Sequence, residues 1–541
     1  MSSSESALYG SDPAFLSPIA ARLLEKGMLK WVISLTASLG AILEVIDTVI
    51  TNVALTDIRG NLGATLSEAG WISTSYACAN VVVIPLSAWL GYRFGKKNYF
   101  VFSLIGFVLA SLLCGLATNL MMLILARVLQ GLAGGGLLAK AQAIVFEAFP
   151  SSERALAQSV FGMGIIVGPT ISPVLGGWLT DNLGWRWIFF INLPIGIAAV
   201  LMAWIFMPRD DSKSLNRTGK VDWTGIGLLA VGLACFQIML EEGQQEGWFD
   251  SDLIMTTSVL AVVGIALFIW RELSTPHPAV DLRVLRHPSM IGGSLYSVIL
   301  GMGIYGVMFA IPVFVQSYLH YTALQSGLLL VPGAIVSAVT MMVFGRIGNR
   351  VPPRLLITAG ALLTSLTGFG LMNLNPGTSA DQIFWPLVYR AVGSVMMFMP
   401  LSIATLGPLP KKDIAAGAGI YSLSRQLGSS IGIAVITTVL ARREAQHRAV
   451  LVENISDFRP AFTERLHSLT EMFTGAGADP VTASHRALSL VDRIVEGQAT
   501  LLAYEDLFVA VALLFILSLP LLFFLGGKPG QQADAAAAAA H

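Results

Sequence analysis

Charge is what this sequence has least of. Only 12% of its 541 residues are Asp, Glu, Lys or Arg, about half of the roughly 25% of an ordinary soluble domain. The net charge is zero and no basic domain stands out, which leaves no footprint for nucleic acid. Cysteine is almost absent. Cys78, Cys114 and Cys235 all lie in apolar runs, so no disulfide framework is implied. The seven histidines are scattered through tails and loops, so no metal centre is expected. No cofactor motif is present. The glycine-rich LAGGG that follows Arg127 lacks a Lys-Ser/Thr at phosphate-loop spacing, and no ATPase module accompanies it. No nucleophile and base pair up, so an enzyme is not expected. No cleavable signal peptide is read in Met1–Lys30, where a Ser-rich start leads into an amphipathic piece, Phe15–Lys26. The Ala-rich tail Gln531–His541 carries no fold information.

Apolar surface is what fills the space. The chain is 55% hydrophobic, with a mean hydropathy of +0.71. Runs of span length recur from near residue 30 to near residue 525, which predicts an all-α polytopic membrane protein. Fourteen spans are read: 29–55, 69–90, 98–117, 120–146, 155–180, 187–207, 223–241, 253–270, 289–315, 324–345, 354–373, 383–407, 414–440 and 504–526. With the N-terminus inside, the cytoplasmic loops collect Arg93, Lys96 and Lys97; Arg154; Arg209, Lys213, Arg217 and Lys220; Arg271, Arg283 and Arg286; Arg346, Arg350 and Arg354; and Lys411 with Lys412. The short outer loops hold Arg59 and Arg186, and the one after the seventh span is acidic: Glu241, Glu242, Glu246 and Asp250. That bias predicts both termini inside. One outer loop is long, about 441–502, with amphipathic stretches at Arg442–Phe473 and after Asp479-Pro480. It reads either as a solvated helical hairpin over the outer mouth or as a docking surface for a periplasmic adaptor.

The stretch Ala37–Leu55 stands apart. It is apolar enough for a bilayer, yet Glu44, Asp47, Thr48, Thr51 and Asn52 form one helical face. A charge at the centre of a spanning helix costs about 2.5–3.5 kcal/mol on insertion scales, so such residues face a protein interior or a wet cavity. Two carboxylates three residues apart resist double ionisation in a low-dielectric setting. A proton can therefore load and unload there, and Glu44 can also attract a cationic cargo.

An internal repeat sets the architecture. Arg93-Phe94-Gly95-Lys96-Lys97 after the second span is answered by Arg346-Ile347-Gly348-Asn349-Arg350 after the tenth. Arg127 in the fourth span is answered by Arg390 in the twelfth, and the fifth and thirteenth spans are both glycine-rich. The expected division is a cytoplasmic segment 1–28, a six-helix bundle 29–207, two inserted spans 208–288, a six-helix bundle 289–526 that includes the outer hairpin 441–502, and a tail 527–541. Two parallel halves with a site between them near the midplane is a transporter plan.

The motifs resemble those of the major facilitator superfamily, and among its members the fourteen-span drug:proton antiporters of the EmrB/QacA type. Asp47-Thr-Val-Ile-Thr-Asn52-Val-Ala-Leu55 is similar to that family's acidic signature, and Arg127-Val-Leu-Gln130-Gly131 to its Arg-Gln-Gly motif. Gly164-Ile-Ile-Val-Gly168-Pro169, followed by Gly176-Gly177, resembles the antiporter motif, and Trp185-Arg-Trp-Ile-Phe-Phe-Ile-Asn-Leu-Pro194 the opening of the sixth span. One departure matters. The loop that latches the first half in the family has a Gly and an Asp where this chain has Ala88 and Tyr92, while Arg93, Gly95, Lys96 and Lys97 remain. The latch is therefore expected to use a different partner, such as a helix C-terminus.

The resemblance implies proton coupling through Asp47 with Arg127, and Glu44 is read as a second proton site. Gly164, Gly168, Pro169, Gly176 and Gly177 are expected to form a tight, bendable seam between the halves. Lys140 is expected to snorkel to the cytoplasmic surface, and Arg390 and Arg425 to tie second-half helices together. Substrate contacts are expected from Glu44, Thr51, Asn52, Tyr76, Asn80 and Gln130 in the first half. Tyr305, Phe309, Gln316, Trp385 and Tyr389 are the candidates from the second. The function implied is proton-driven export of amphipathic hydrophobic compounds, cationic ones included, across the inner membrane. The alternatives are a dedicated exporter of a lipid, siderophore or metabolite, and a non-transporting membrane scaffold, which has no need of a buried carboxylate stripe.

Overall fold

In lipid every backbone N–H and C=O must be satisfied within the chain, so apolar runs of this length close as helices. The computed structural model describes residues 16–150, 152–210, 221–375, 377–456 and 458–525. The first residues of the N-terminal segment, the basic cluster Lys213, Arg217 and Lys220, and the tail 527–541 lie outside the described residues. The first six spans are α1 (Leu29–Val53), α2 (Leu66–Phe94), α3 (Lys96–Gly115), a fourth span in two pieces, α4 (Leu120–Gly134) and α5 (Leu137–Ala148), then α6 (Arg154–Leu183) and α7 (Asn192–Phe206). The inserted pair is α8 (Trp223–Glu242) and α9 (Asp252–Ser274). The second set is α10 (Pro288–Ser317), α11 (Ala323–Ile347), α12 (Pro353–Gly370), α13 (Ala380–Leu406), α14 (Ile414–Val452) and, after α15 (Pro460–Gly475), α16 (Pro480–Ser518).

Among the described residues, thirteen helical segments are long and apolar enough to cross a membrane. The remaining span, α12, the eleventh in order, has 18 residues opened by Pro353-Arg354 and interrupted by Thr, Ser and Gly, which dilutes its hydropathy. At 1.5 Å per residue it still reaches about 27 Å, close to the bilayer core. It packs between α13 and α16. The fold is thus all-α, six spans, two inserted spans and six spans, as the repeat predicts.

Two boundaries move. The acidic outer loop expected after the seventh span is partly helix, because α8 runs through Glu242. Glu242 is buried and accepts from the Thr74 hydroxyl of α2 at 2.7 Å. The outer hairpin is built mainly by extending spans. α14 and α16 each run 39 residues, about 58 Å at helical rise, so their outer ends stand clear of the bilayer and pack together with α15 beside α16. His447 and Arg448 meet Asp506 and Asp492 across them at 2.9 and 2.8 Å. Asp479 caps α16 by accepting from the N–H groups of Val481 and Thr482, with Pro480 at the first helical position, as the sequence predicts.

The halves meet where α6 lies along α11 and α14 lies against α2 and α5. On the cytoplasmic side they are tied. Gln142 Nε2 donates to Ser402 Oγ at 2.6 Å, Ser422 Oγ donates back to Gln142 Oε1 at 3.4 Å, and all three side chains are buried. Tyr92, in the place of the family's Asp, donates its hydroxyl to the Lys412 carbonyl of the other half at 2.5 Å. Lys97 Nζ donates to the carbonyls of Trp204 and Met207 at the C-terminal end of α7, at 2.7 Å each. Asp210 restores an acid to this corner, accepting from Lys97 N at 3.0 Å beside Gly95, whose φ of +90° turns the chain between α2 and α3. Lys96 pairs with Glu147 of α5 at 2.6 Å. Tyr92→Phe removes one cross-half bond worth about 1 kcal/mol. It should shift the closed-to-open ratio of the cytoplasmic side about fivefold toward open, read as faster alkylation of a cysteine placed at Ala415.

Candidate proton-coupling site

The polar face of α1 is real, but its members do different work. Asp47 is fully buried and accepts three hydrogen bonds, from Arg127 Nη1 at 2.5 Å, Gln130 Nε2 at 2.8 Å and Asn192 Nδ2 at 2.8 Å. Arg127 and Gln130 share a face of α4 because they are three apart. They also bond each other at 2.8 Å, and Arg127 Nε donates to the Ile72 carbonyl of α2 at 3.2 Å. Tyr76 lays its ring 4.1 Å under the guanidinium. The donors aimed at Asp47 are the charge-assisted kind that bind a carboxylate most strongly. The site therefore stores a desolvated ion pair in the outer half of the first bundle.

Glu44 has a different environment one turn away. The fourth span breaks at Gly135-Gly136, so the first turn of α5 presents free N–H groups. Glu44 Oε2 accepts from Leu138 N at 2.8 Å and Oε1 from Asn80 Nδ2 at 2.9 Å. The carboxylate thus sits at the positive end of a helix, and the pull on a cationic cargo expected of it is met within the protein. The break has a packing cause. A Cβ on Gly131 or Gly135 would stand 2.5 or 2.6 Å from the carbonyls of Tyr76 and Asn80 on α2, so the glycine run lets two backbones approach.

The remaining candidates divide. Thr51 is buried and its hydroxyl donates to its own helix at the Asp47 carbonyl, 2.8 Å away. Asn52 is exposed and accepts from Ser73. Tyr305 lines a cavity between the halves. Phe309 and Trp385 are 37% and 58% exposed on the outside of the bundle, Gln316 is exposed near Ser326, and Tyr389 is half-buried beside Trp385. The structure does not bring these four to the cavity, because helical spacing alone cannot tell a lipid face from an inner one.

Three expectations are corrected. The glycine ridge of α6 does not face the other half. Cβ atoms on Gly164 and Gly176 would strike Ile42 and Ile50 of α1 at 2.4 and 2.7 Å, and Gly168 lies against Ile46. The ridge keys α6 onto the carboxylate helix, while other residues of α6, such as Val174 against Gly327, meet α11. Gly177 meets nothing within 4 Å, so packing does not explain it. Lys140 does not reach the cytoplasmic surface. It is buried, with Nζ 3.1 Å from the Tyr99 ring centroid and Gly91 opening room for its stem. Arg390 Nε and both terminal nitrogens of Arg425 are buried with no hydrogen-bond partner among the described residues, so these atoms tie no helices together.

Asn192 was not singled out by the sequence reading. Its signal was present, an amide directly after the apolar run Ile188–Ile191, but only the fold shows that α7 starts beside Asp47. Asn192 also reaches Ser111 Oγ of α3 at 3.0 Å, so it fixes the carboxylate to a third helix. Asn192→Ala should destabilise the fold by about 1.5 kcal/mol, the loss of one charge-assisted bond, seen as earlier thermal unfolding of the purified protein.

Comparison with known proteins places this geometry. Residues 37–433 match the Major Facilitator Superfamily. The chain is 32% identical over 501 residues to the fatty acid resistance protein FarB of Neisseria gonorrhoeae, covering 92% of this chain and 96% of that protein. It is also 32% identical over 511 residues to the multidrug export protein EmrB of Escherichia coli, covering 94% and 98%. The solved proton:xylose symporter XylE superposes with a TM-score of 0.56 at 13% identity, over 90% of this chain and 95% of that one, a likeness of fold. The chain belongs to the Major Facilitator Superfamily, as a multi-pass membrane transporter similar to multidrug export proteins rather than an enzyme.

Proposed function

We propose that this protein exports amphipathic, hydrophobic compounds in exchange for protons by alternating access. The observation that carries the reading is the buried ion pair of Asp47 and Arg127, held by groups from α1, α2, α4 and α7. A cation and an anion kept out of water at bilayer depth are expensive as mere struts. A proton arriving on Asp47 breaks the pair, frees Arg127 and changes the fit of α4 against α1. α1 is keyed to α6, and α6 lies along α11 of the other half, so a shift at Asp47 bears on the interface that must rock. The ties through Gln142, Ser402 and Tyr92 hold the halves together on the cytoplasmic side while Asp47 pairs with Arg127. In an antiport cycle that state awaits a proton from outside.

The test is efflux from proteoliposomes under an imposed pH gradient, with proton movement recorded alongside. Export that follows the gradient, with protons moving against cargo, supports the reading. Export indifferent to the gradient removes the antiport mechanism.

The outer hairpin supports a second, compatible reading, a docking surface for a periplasmic adaptor. Outside the bilayer it leaves Val450, Phe458, Met472, Val481 and Leu488 exposed, apolar side chains that a partner could cover.

A further inference from the structure

From α10 to the membrane part of α14, cations stand in the membrane without acids to match. Between Pro288 and Arg443 the sequence contains two acidic residues, Asp381 and Asp413. Asp381 is exposed in the first turn of α13, and Asp413 precedes α14 at the cytoplasmic end, near His287. Neither belongs to the interior, yet Arg390 and Arg425 are only 6% and 3% exposed. The contrast with the repeat partner is sharp. Arg127 in the first half has Asp47, Gln130 and a backbone carbonyl.

Both arginines line the cavity between the halves. Arg390 Nε, Arg425 Nη1 and Nη2, and Ser394 Oγ, one turn on from Arg390, all lack a partner among the described residues. The Arg425 guanidinium rests against the rings of Phe398 and Tyr421, which stabilise a cation. The remaining wall is apolar, built by Ile165, Ile166, Leu300, Ile304, Met308 and Phe398. No carboxylate lines it. The oxygens of Glu44, a buried acid of the first half, are held by Asn80 and Leu138. Two guanidinium groups with no acid on the wall make the site positive. An anion answers that charge, and its oxygens would satisfy the orphaned donors.

We propose that this cavity is an anion-binding cargo site, in which Arg390, Ser394 and Arg425 take the carboxylate of an amphipathic monoanion while the apolar wall takes its chain. This names the cargo class for the exporter proposed above and rests on that reading only for the direction of transport. The site also touches Pro169 and Thr170 of α6, so its occupant contacts both halves. The chemistry points away from the cationic cargo that Glu44 suggested in the sequence.

The test is equilibrium binding of radiolabelled dodecanoate to the purified full-length protein, with dodecyltrimethylammonium and dodecanol as competitors of equal chain length. The native protein should prefer dodecanoate at least about tenfold over both, as charge-assisted bonds require. Arg425→Gln and Arg390→Gln should each weaken dodecanoate binding about tenfold while leaving dodecanol unchanged, and Arg425→Lys should retain part of the affinity. Competition by the cation as strong as by dodecanoate itself, or glutamine variants that bind dodecanoate like the native protein, would overturn the assignment. If the variants do not fold, the charge ranking on the native protein decides alone. Binding needs no pH gradient, so failure of proton coupling leaves this result standing. Gradient-driven export of the cation without dodecanoate binding would sink this inference and spare the other.

Discussion

Asp47→Asn should reduce pH-gradient-driven export to the level of protein-free liposomes. Asparagine fills the same space and still meets Gln130 and Asn192, but it cannot carry a proton across the cycle. It also leaves Arg127, 1% exposed, without its counter-charge. An uncompensated buried charge costs about 3–5 kcal/mol, so the variant should melt earlier as well. The two effects separate in the double variant Asp47→Asn with Arg127→Gln. Removing both charges should recover most of the lost thermal stability and none of the transport. A double variant that exports with the gradient would show that the pair is a strut.

The second large effect lies in the core of the second half. α10 and α14 cross at near backbone contact. A Cβ on Gly428 would stand 2.2 Å from the Val298 carbonyl oxygen and 2.7 Å from its Cα, and one on Gly301 would stand 2.3 Å from the Arg425 carbonyl. These obstacles are backbone and cannot rotate away. Gly428→Val should therefore cost about 3 kcal/mol or more and remove the folded protein from the membrane fraction, measured by fluorescence-detected size exclusion. Gly227→Ala is the matched control. Nothing lies within 4 Å of its added methyl, and alanine is the better helix former by about 1 kcal/mol, so that variant should accumulate at least as well as the native chain. Because Gly428 follows Arg425 by three residues, the same close crossing also sets where that guanidinium enters the cavity.

Composition, span spacing and positive-charge bias are enough to read the helices, their order and the inside position of the termini. The reason is that the bilayer imposes one length, one secondary structure and one charge rule. Asp47, Arg127 and Gln130 were also legible, because each breaks the apolar pattern of its own helix. Their mutual contact was implied by the family resemblance alone, since 80 residues separate Asp47 from Arg127 and no local rule joins them. Glu44 is legible as unusual, but what it meets is not. Its partner is a helix start that exists only because the fourth span breaks against α2.

What the sequence by itself determined about Ala37–Leu55 is that its acids must turn inward, because lipid does not accept them. Tertiary structure alone decided what each acid meets: an arginine for Asp47, a helix N-terminus for Glu44. It alone also decided that the glycine ridge of α6 locks onto α1 rather than onto the other half. And it alone decided that two second-half arginines share one cavity with no acid lining it. Periodicity says which face of a helix is polar, but only the packing of all the helices says what stands opposite that face.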